Sequence, residues 1–285
     1  LLARFWPVMA GTDAWFWIVG SAGIATLLLG AYIAIFQHDL KGLLAYSTIS
    51  HLGLITLLLG LNSELGLVAA VFHALNHATF KASLFMAAGI IDHETGTRDI
   101  RRLSGLHRLM PFTVRLAMVA AAAMAGVPLL NGFLSKEMFF AEALWAPTPH
   151  PMIYDIMPVA AVIASALSVA YSLRFIHGVF FGPDPVDLPR TPHEPPAWMR
   201  LPVEILVLAC IVVGVLPAAT VGPFLDTAVR SILGAATPQY SLAVWHGFNL
   251  PLVMSLIALT AGVALYLALQ RHLLKGIEGA PLIRR

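Results

Sequence analysis

Seven long apolar runs are the feature that most limits how this chain can fold. Each run has about 20 or more residues with few charges, the length that an α-helix needs to cross the roughly 30 Å apolar core of a bilayer. The runs are residues 14–36, 42–61, 65–91, 113–146, 154–182, 201–222 and 248–272. Because a bilayer offers no partner to unpaired backbone groups, these runs predict an all-α, polytopic membrane helix bundle.

The composition excludes several classes of protein. Hydrophobic residues make up 59% of the 285-residue chain and charged residues 11%, against about 25% charged residues in soluble domains. A soluble enzyme, a disordered chain and a nucleic-acid-binding protein are therefore excluded. The single cysteine, Cys210, lies in an apolar run, so an intrachain disulfide and a cysteine-built metal site are excluded too. No cofactor motif is present, and we expect neither a cofactor nor a metal.

The basic residues predict the orientation of the chain. Seven spans sort the connecting segments into two sets, which hold eleven and two Lys and Arg residues. The richer set comprises Lys41, Arg98, Arg101, Arg102, Arg108, Arg190, Arg200, Arg271, Lys275, Arg284 and Arg285. Since cytoplasmic loops carry the excess of Lys and Arg, we expect a cytoplasmic C-terminus and an outer position for residue 1. Residues 183–200 are Pro-rich and predict a cytoplasmic loop, while residues 223–247 have room for a short interfacial helix.

Three basic side chains share one face of the third span. His73, His77 and Lys81 are spaced i, i+4 and i+8, and the span length places His77 near the bilayer midplane. Ionisable residues at that depth are costly and normally face protein or water. We interpret them as a proton relay, the alternative being neutral histidines that hydrogen bond between helices. A zinc site is disfavoured because no third ligand accompanies the pair.

The fourth span is too long for one straight crossing and contains a predicted helix break at Gly126, Pro128 and Gly132. Proline removes a backbone donor, and broken helices at membrane depth occur where they line protein or a cavity. Lys136 follows the break on the outer side. One interpretation is a buried lysine that exchanges protons with the outer surface. The other is a lysine that extends toward the membrane surface and pairs with Glu137 or Glu142.

The second span carries polar residues over about a turn and a half, Tyr46-Ser-Thr-Ile-Ser50-His51. These residues have two interpretations. They line a water-accessible surface that leads inward from Lys41, or they are ordinary Ser and Thr residues packed between helices. For Ser47 and Thr48 we favour packing. We treat Ser50, His51 and Glu137 as possible polar lining of the path.

Several of these segments carry a family resemblance. HDLKGLLAYSTISHLGL, FHALNHATFKASLFMAAG and GVPLLNGFLSKEMFF resemble the antiporter-like membrane subunits shared by respiratory complex I and the Mrp-type multisubunit cation/proton antiporters. GIIDHETGTRDIRRLSGL and WHGFNLPLVMS are more similar to the large A-type component of the Mrp-type antiporter. The resemblance is dense over residues 37–145 and thinner over residues 190–255.

The resemblance implies a bundle with inverted five-helix repeats, each containing a broken helix. Residues 1–146 would be the second half of the proton-conducting core, and residues 147–285 the helices that follow it. Lys41, His73, His77 and Lys81 would lie on a hydrophilic axis, with Lys136 as its terminal lysine toward the outer half-channel. The family's first half and its intramembrane glutamate would precede residue 1. We therefore expect a fragment of a longer polypeptide, with residues 1–9 the tail of an earlier helix.

The resemblance further implies a transporter subunit rather than an enzyme. Its partners would be the other subunits of the antiporter complex, protons, Na⁺ or K⁺, and the lipid of the cell membrane. A close alternative is a proton-pumping subunit of complex I, and a third is a membrane subunit with a purely structural role. A ligand-binding receptor is a less favoured alternative, because it would need an outer ligand pocket and the outer loops are short.

Overall fold

The computed structural model describes residues 1–147 and 151–273, and within them the chain is an all-α bundle. Its helices are α1 (Leu2–Met9), α2 (Asp13–Ile35), α3 (Leu40–Gly60), α4 (Glu64–Thr95), α5 (Pro111–Ala125), α6 (Asn131–Trp145), α7 (Pro151–Phe180), α8 (Ala197–Val215), α9 (Pro217–Thr220), α10 (Gly222–Leu233) and α11 (Leu250–Leu273). Three basic residues that contributed to the predicted orientation lie outside the described residues: Lys275, Arg284 and Arg285. Part of the segment 147–285 lies outside them too.

Five of the described helices are long and apolar enough to cross a membrane: α2, α3, α7, α8 and α11. Helix α4 is longer still, at 32 residues, but it carries the buried polar side chains described below. A polytopic membrane bundle is thus confirmed, while the count of seven spans stays a prediction. The sixth predicted run ended at residue 222, whereas α8 ends at Val215, because proline at 217 begins a separate short helix.

Helices α2 and α3 touch backbone to backbone. A Cβ on Gly23 would lie 2.4 Å from the amide nitrogen of Leu57, and one on Gly53 would lie 2.3 Å from that of Leu27. Small residues allow such close approach between membrane helices. Ser50 Oγ adds a hydrogen bond across the pair to the carbonyl oxygen of Leu27 at 2.9 Å. The two helices therefore form a tightly packed wall.

The predicted helix break separates α5 from α6. Helix α5 ends where Gly126 adopts a left-handed φ of +88°, and a turn through Pro128 leads into α6 at Asn131. Gly132 lies against the end of α5, since a Cβ there would be 1.9 Å from the carbonyl oxygen of Ala123. Helix α8 covers the break, with Gly214 against the backbone of Leu129. Each half-helix has 15 residues, too few to cross a bilayer alone.

The Pro-rich segment holds the bundle together at one end. The predicted loop of residues 183–200 is irregular only as far as residue 196, because α8 begins at Ala197. Glu194 accepts hydrogen bonds from the amides of Phe112 at 2.8 Å and Thr113 at 3.1 Å. It therefore satisfies unpaired donors at the start of α5. Near the other end of the bundle, α10 is amphipathic and buries Leu225 and Val229, as expected of the short interfacial helix.

Two apolar cores fill the bundle, one toward each end. One contains Leu44, Phe80 and Phe175, and the other contains Leu54 and Phe72. The buried histidines and the lysine on α6 lie at the level where these cores meet. The fold thus places its polar side chains in the middle of an apolar bundle.

Candidate functional site

Three histidine rings stack at the centre of the bundle. His51 Nδ1 lies 2.9 Å from His73 Nε2, and the two ring planes are 18° apart. The ring centroid of His77 is 5.3 Å from that of His51 and 6.3 Å from that of His73. Phe80 packs against all three rings. All three histidines are buried, which demands hydrogen-bond partners for their ring nitrogens.

Two further helices supply partners to the histidines. His73 Nδ1 lies 2.9 Å from Ser135 Oγ on α6, and His51 Nε2 lies 3.1 Å from the hydroxyl of Tyr171 on α7. The sequence predicted the shared face of His73, His77 and Lys81 on α4 but not these partners. The hydrogen bonds cross between α3, α4, α6 and α7. His77 Nε2 is buried and has no hydrogen-bond partner among the described residues.

Lys81 occupies the same face of α4, one turn beyond His77. Its side chain is 4% exposed, and its ammonium group donates to Ser47 Oγ, to the carbonyl oxygen of Leu44 at 3.4 Å and toward Met124 Sδ at 3.2 Å. No carboxylate pairs with it among the described residues. Ser47, which the sequence suggested was packing only, thus contacts the buried ammonium.

Lys136 is the second buried lysine, and it is also 4% exposed. Its ammonium group donates to the carbonyl oxygen of Ala125 at 2.9 Å and to Ser168 Oγ at 3.0 Å. Ala125 is the last residue of α5, so the helix break provides a free carbonyl for the lysine. Within the described chain Lys136 pairs with neither Glu137 nor Glu142, and it does not extend toward the membrane surface.

A small cavity joins Lys136 to the histidines. It is lined by Ser50, His51, Lys136, Ser165, Ser168 and Tyr171, together with three apolar side chains, and it has room for about one water molecule. We call His51, His73, His77, Lys81 and Lys136 the polar row. Its members lie on three helices. The three histidines contact one another, the cavity lies between His51 and Lys136, and Lys81 follows His77 by one helical turn.

Two predicted site residues lie elsewhere. Lys41 is in the first turn of α3, half-exposed, and its Nζ is 2.8 Å from Asp92 Oδ2 near the end of α4. The structure does not bring it to the polar row, because the start of α3 lies more than two turns from His51. Glu137 faces away from Lys136 and lies 3.4 Å from Asn249 Nδ2. It lines an open cavity of about 200 Å³ with His246.

The contribution of α7 to the site was not predicted from the sequence. Ser168, Tyr171 and Ser172 are buried polar residues on this helix. Their spacing of three and four residues is the signal that identified the face of α4. Asn131 was also missed; its Nδ2 donates to Thr79 Oγ1 at 2.7 Å and ties the start of α6 to α4.

Comparison with known proteins identifies the family. The family described as "NADH:quinone oxidoreductase/Mrp antiporter, TM" matches residues 1–167, more than half of the chain. The chain belongs to this family. Membership agrees with the predicted membrane bundle, and all five residues of the polar row lie within the matched residues.

Among curated members of the NADH:quinone oxidoreductase/Mrp antiporter family, the chain is 69% identical over 284 residues to the A/B component of a probable K⁺/H⁺ antiporter of Rhizobium meliloti. The match covers 100% of this chain and 28% of that protein. The chain is 41% identical to the A component of the Na⁺/H⁺ antiporter of Alkalihalophilus pseudofirmus, covering 95% of this chain and 36% of the relative. It thus spans about a third of the length of these relatives.

Solved structures show the same fold. The chain superimposes on a chain of the Mrp complex from Dietzia sp. with a TM-score of 0.83 at 36% identity, covering 94% of this chain and 28% of that one. Respiratory complex I from Thermus thermophilus matches with a TM-score of 0.69 at 23% identity, covering 82% of this chain and 49% of that one. At that identity the second match shows the fold alone.

Proposed function

We propose that this chain is part of the proton-translocating core of a multisubunit Na⁺ or K⁺/proton antiporter in the cell membrane. The observation that carries the proposal is the polar row, three histidines in mutual contact and two buried lysines in the middle of an apolar bundle. Two relatives whose names describe them as antiporter components support it. In this proposal the protein is a transporter rather than an enzyme. It works with the other subunits of such a complex.

The chemistry of the row suits proton transfer. A neutral imidazole can accept a proton on one nitrogen and release one from the other. A proton arriving at His51 or His73 would raise the cost of charge on nearby Lys81 and Lys136, since like charges in a buried site disfavour each other. Tyr171, Ser135 and Ser168 would connect the bases, together with a water in the small cavity. We assign Lys136 as the exchange group toward the outer surface.

The other predicted assignments follow the same proposal. Residues 1–146 would belong to the second half of the conducting core, and residues 147–285 to the helices that follow. The C-terminus would be cytoplasmic, as the basic loops predict. Lys41, paired with Asp92, would lie at the cytoplasmic entrance rather than inside the row. A role in complex I is disfavoured because the antiporter relatives are far more similar in sequence than the complex I chain.

Cation-dependent proton flux tests this proposal. In vesicles that carry the assembled complex, we expect Lys136→Ala to lower the flux more than about tenfold, since positioned acid–base groups contribute 10² to 10⁴. Comparing Na⁺ with K⁺ identifies the cation. Arg230→Ala is the matched control, because Arg230 is exposed on α10 and paired with Asp226 at 2.7 Å. Unchanged flux in a normally assembled Lys136→Ala complex would instead support a purely structural role.

A further inference from the structure

A buried arginine near the end of α7 has no part in the polar row. Arg174 is 4% exposed, and its guanidinium donates to the carbonyl oxygen of Ile35, to His38 Nδ1 at 3.2 Å and to the carbonyl oxygen of Leu273 at 3.4 Å. Ile35 ends α2, where the helix dipole is negative, and Leu273 is the last described residue of α11. No carboxylate among the described residues pairs with Arg174. Only partial charges therefore compensate its positive charge.

An open cavity of about 230 Å³ lies against this arginine. Its polar lining consists of His38, Arg101, Ser104, Arg174, His177, Tyr266 and Gln270, and it contains no Asp or Glu among the described residues. We call it the Arg174 cavity. The neighbouring carboxylate of Asp99 is held by Arg101 at 2.6 Å, and that hydrogen bond lowers the pKa of Asp99. The cavity wall therefore carries more positive charge than negative.

His38 contributes a neutral ring to the wall. Burial is the main cause that lowers its pKa, followed by the positive charges of Arg174 and Arg101. A neutral His38 can accept the hydrogen bond from Arg174 Nη2. The neutral ring adds no charge to the wall, so the positive charge there comes from Arg174 and Arg101.

The chemistry of the wall fits a phosphate group. Guanidinium groups bind phosphate through several N–H donors in a planar fork and tolerate burial better than ammonium groups. Phe181 and Leu273 add apolar surface to the same cavity, which a soluble anion would not need. The cavity lies at the end of the bundle where most basic loop residues are found, and basic pockets between membrane helices at such a level bind anionic headgroups.

We propose that the Arg174 cavity binds the phosphate of an anionic phospholipid. The bound lipid would neutralise the buried arginine and connect the ends of α2, α7 and α11. This proposal does not depend on antiport. It would hold for a membrane protein of any function.

Lipid titration of the assembled complex, purified in detergent and depleted of lipid, tests the site. The probes are phosphatidylglycerol, phosphatidylcholine and inorganic phosphate, and the readouts are the thermal unfolding midpoint and bound lipid counted by native mass spectrometry. We expect phosphatidylglycerol alone to raise the midpoint and to remain bound. An equal effect of phosphatidylcholine would overturn the proposal. An equal effect of inorganic phosphate would show that the site takes a soluble anion and overturn the lipid assignment.

Arg101→Gln is the first variant, because it leaves the helix-end contacts of Arg174 intact and frees the Asp99 carboxylate beside the cavity. We expect phosphatidylglycerol to bind about tenfold more weakly, the equivalent of one charge-assisted hydrogen bond. Arg174→Gln should abolish binding where the variant assembles. Arg230→Gln removes an exposed arginine at another site and should bind like the unaltered protein. Unchanged binding in Arg101→Gln would contradict the proposal even if Arg174→Gln failed to fold.

Discussion

Among single residues, His51 has the central position in the polar row. Its two ring nitrogens lie within 3.1 Å of His73 and of the hydroxyl of Tyr171, and its ring also packs against His77. Each nitrogen can act as donor or acceptor, depending on which one carries the proton. A change in the protonation of His51 is therefore felt by two other helices at once.

A conservative substitution of Tyr171 tests whether its hydroxyl group takes part in the polar row. Tyr171→Phe keeps the ring and removes only the hydroxyl that contacts His51. If the polar row carries protons, we expect cation-dependent proton flux in vesicles to fall about fivefold, the equivalent of one hydrogen bond of about 1 kcal/mol. Tyr154→Phe, on the same helix but exposed, is the control and should leave the flux unchanged. Equal flux in both variants would remove Tyr171 from the proposed path.

Residue spacing predicted part of this site and missed the rest for a physical reason. His73, His77 and Lys81 lie on one helix, so their shared face follows from the helical repeat. The contacts of His51 and Tyr171 depend on which faces of α3, α4 and α7 meet, and tertiary packing decides that. The sequence also did not predict the partner of Lys41, whose ammonium group pairs with Asp92 on α4; its place on the proton path stays a prediction.

Among the elements, the break between α5 and α6 brings Lys136 to its partners. The end of α5 exposes carbonyl groups that an unbroken helix would use internally, and one of them accepts from Lys136. A Cβ on Gly126 would lie 2.8 Å from Cδ of Lys136. The segment Gly126–Gly132 thus combines a left-handed turn with close packing. Pro and Gly in an apolar run predicted the break, but not which carbonyl group the lysine would meet.

Gly132→Ala tests the packing at this break. The added methyl group would collide with the carbonyl oxygen of Ala123, so we expect a loss of about 1–3 kcal/mol in unfolding free energy. Gly89→Ala is the matched control, since nothing lies within 4 Å of a Cβ there, within α4. That change should stabilise the helix by about 0.5–1 kcal/mol. Thermal unfolding of both variants measures the difference, and similar midpoints would contradict the close contact.

For the whole molecule, the distribution of charges predicts how the bundle sits in the membrane. The segment 96–110 and the Pro-rich loop lie together at one end, where Arg190 N donates to the carbonyl oxygen of Thr95 at 3.2 Å. Helix α10, with Arg230, lies near the opposite end with α1. The sequence predicted that the basic loops lie at the same end of the bundle. It did not predict the hydrogen bonds between these loops, because loop contacts leave no periodic pattern in a sequence.

Cysteine labelling tests this orientation. In a Cys210→Ser background, which removes the chain's only cysteine, Arg98→Cys and Arg230→Cys place single thiols at opposite ends. With a membrane-impermeant maleimide, we expect Arg98→Cys to react in inverted vesicles and Arg230→Cys in right-side-out vesicles, because cytoplasmic loops hold the excess of basic residues. Labelling of both thiols from one side would show that the predicted spans are wrong.

The close contact of α2 with α3 limits where the bundle can move. Backbone atoms that already touch cannot slide past one another without steric overlap, so these two helices can shift only as a unit. If the chain moves protons as proposed, any rearrangement would therefore spare the contact between α2 and α3 and involve α6 and α7, whose Ser135 and Tyr171 contact the histidines. The glycines of α2 and α3 would then hold one side of the bundle fixed.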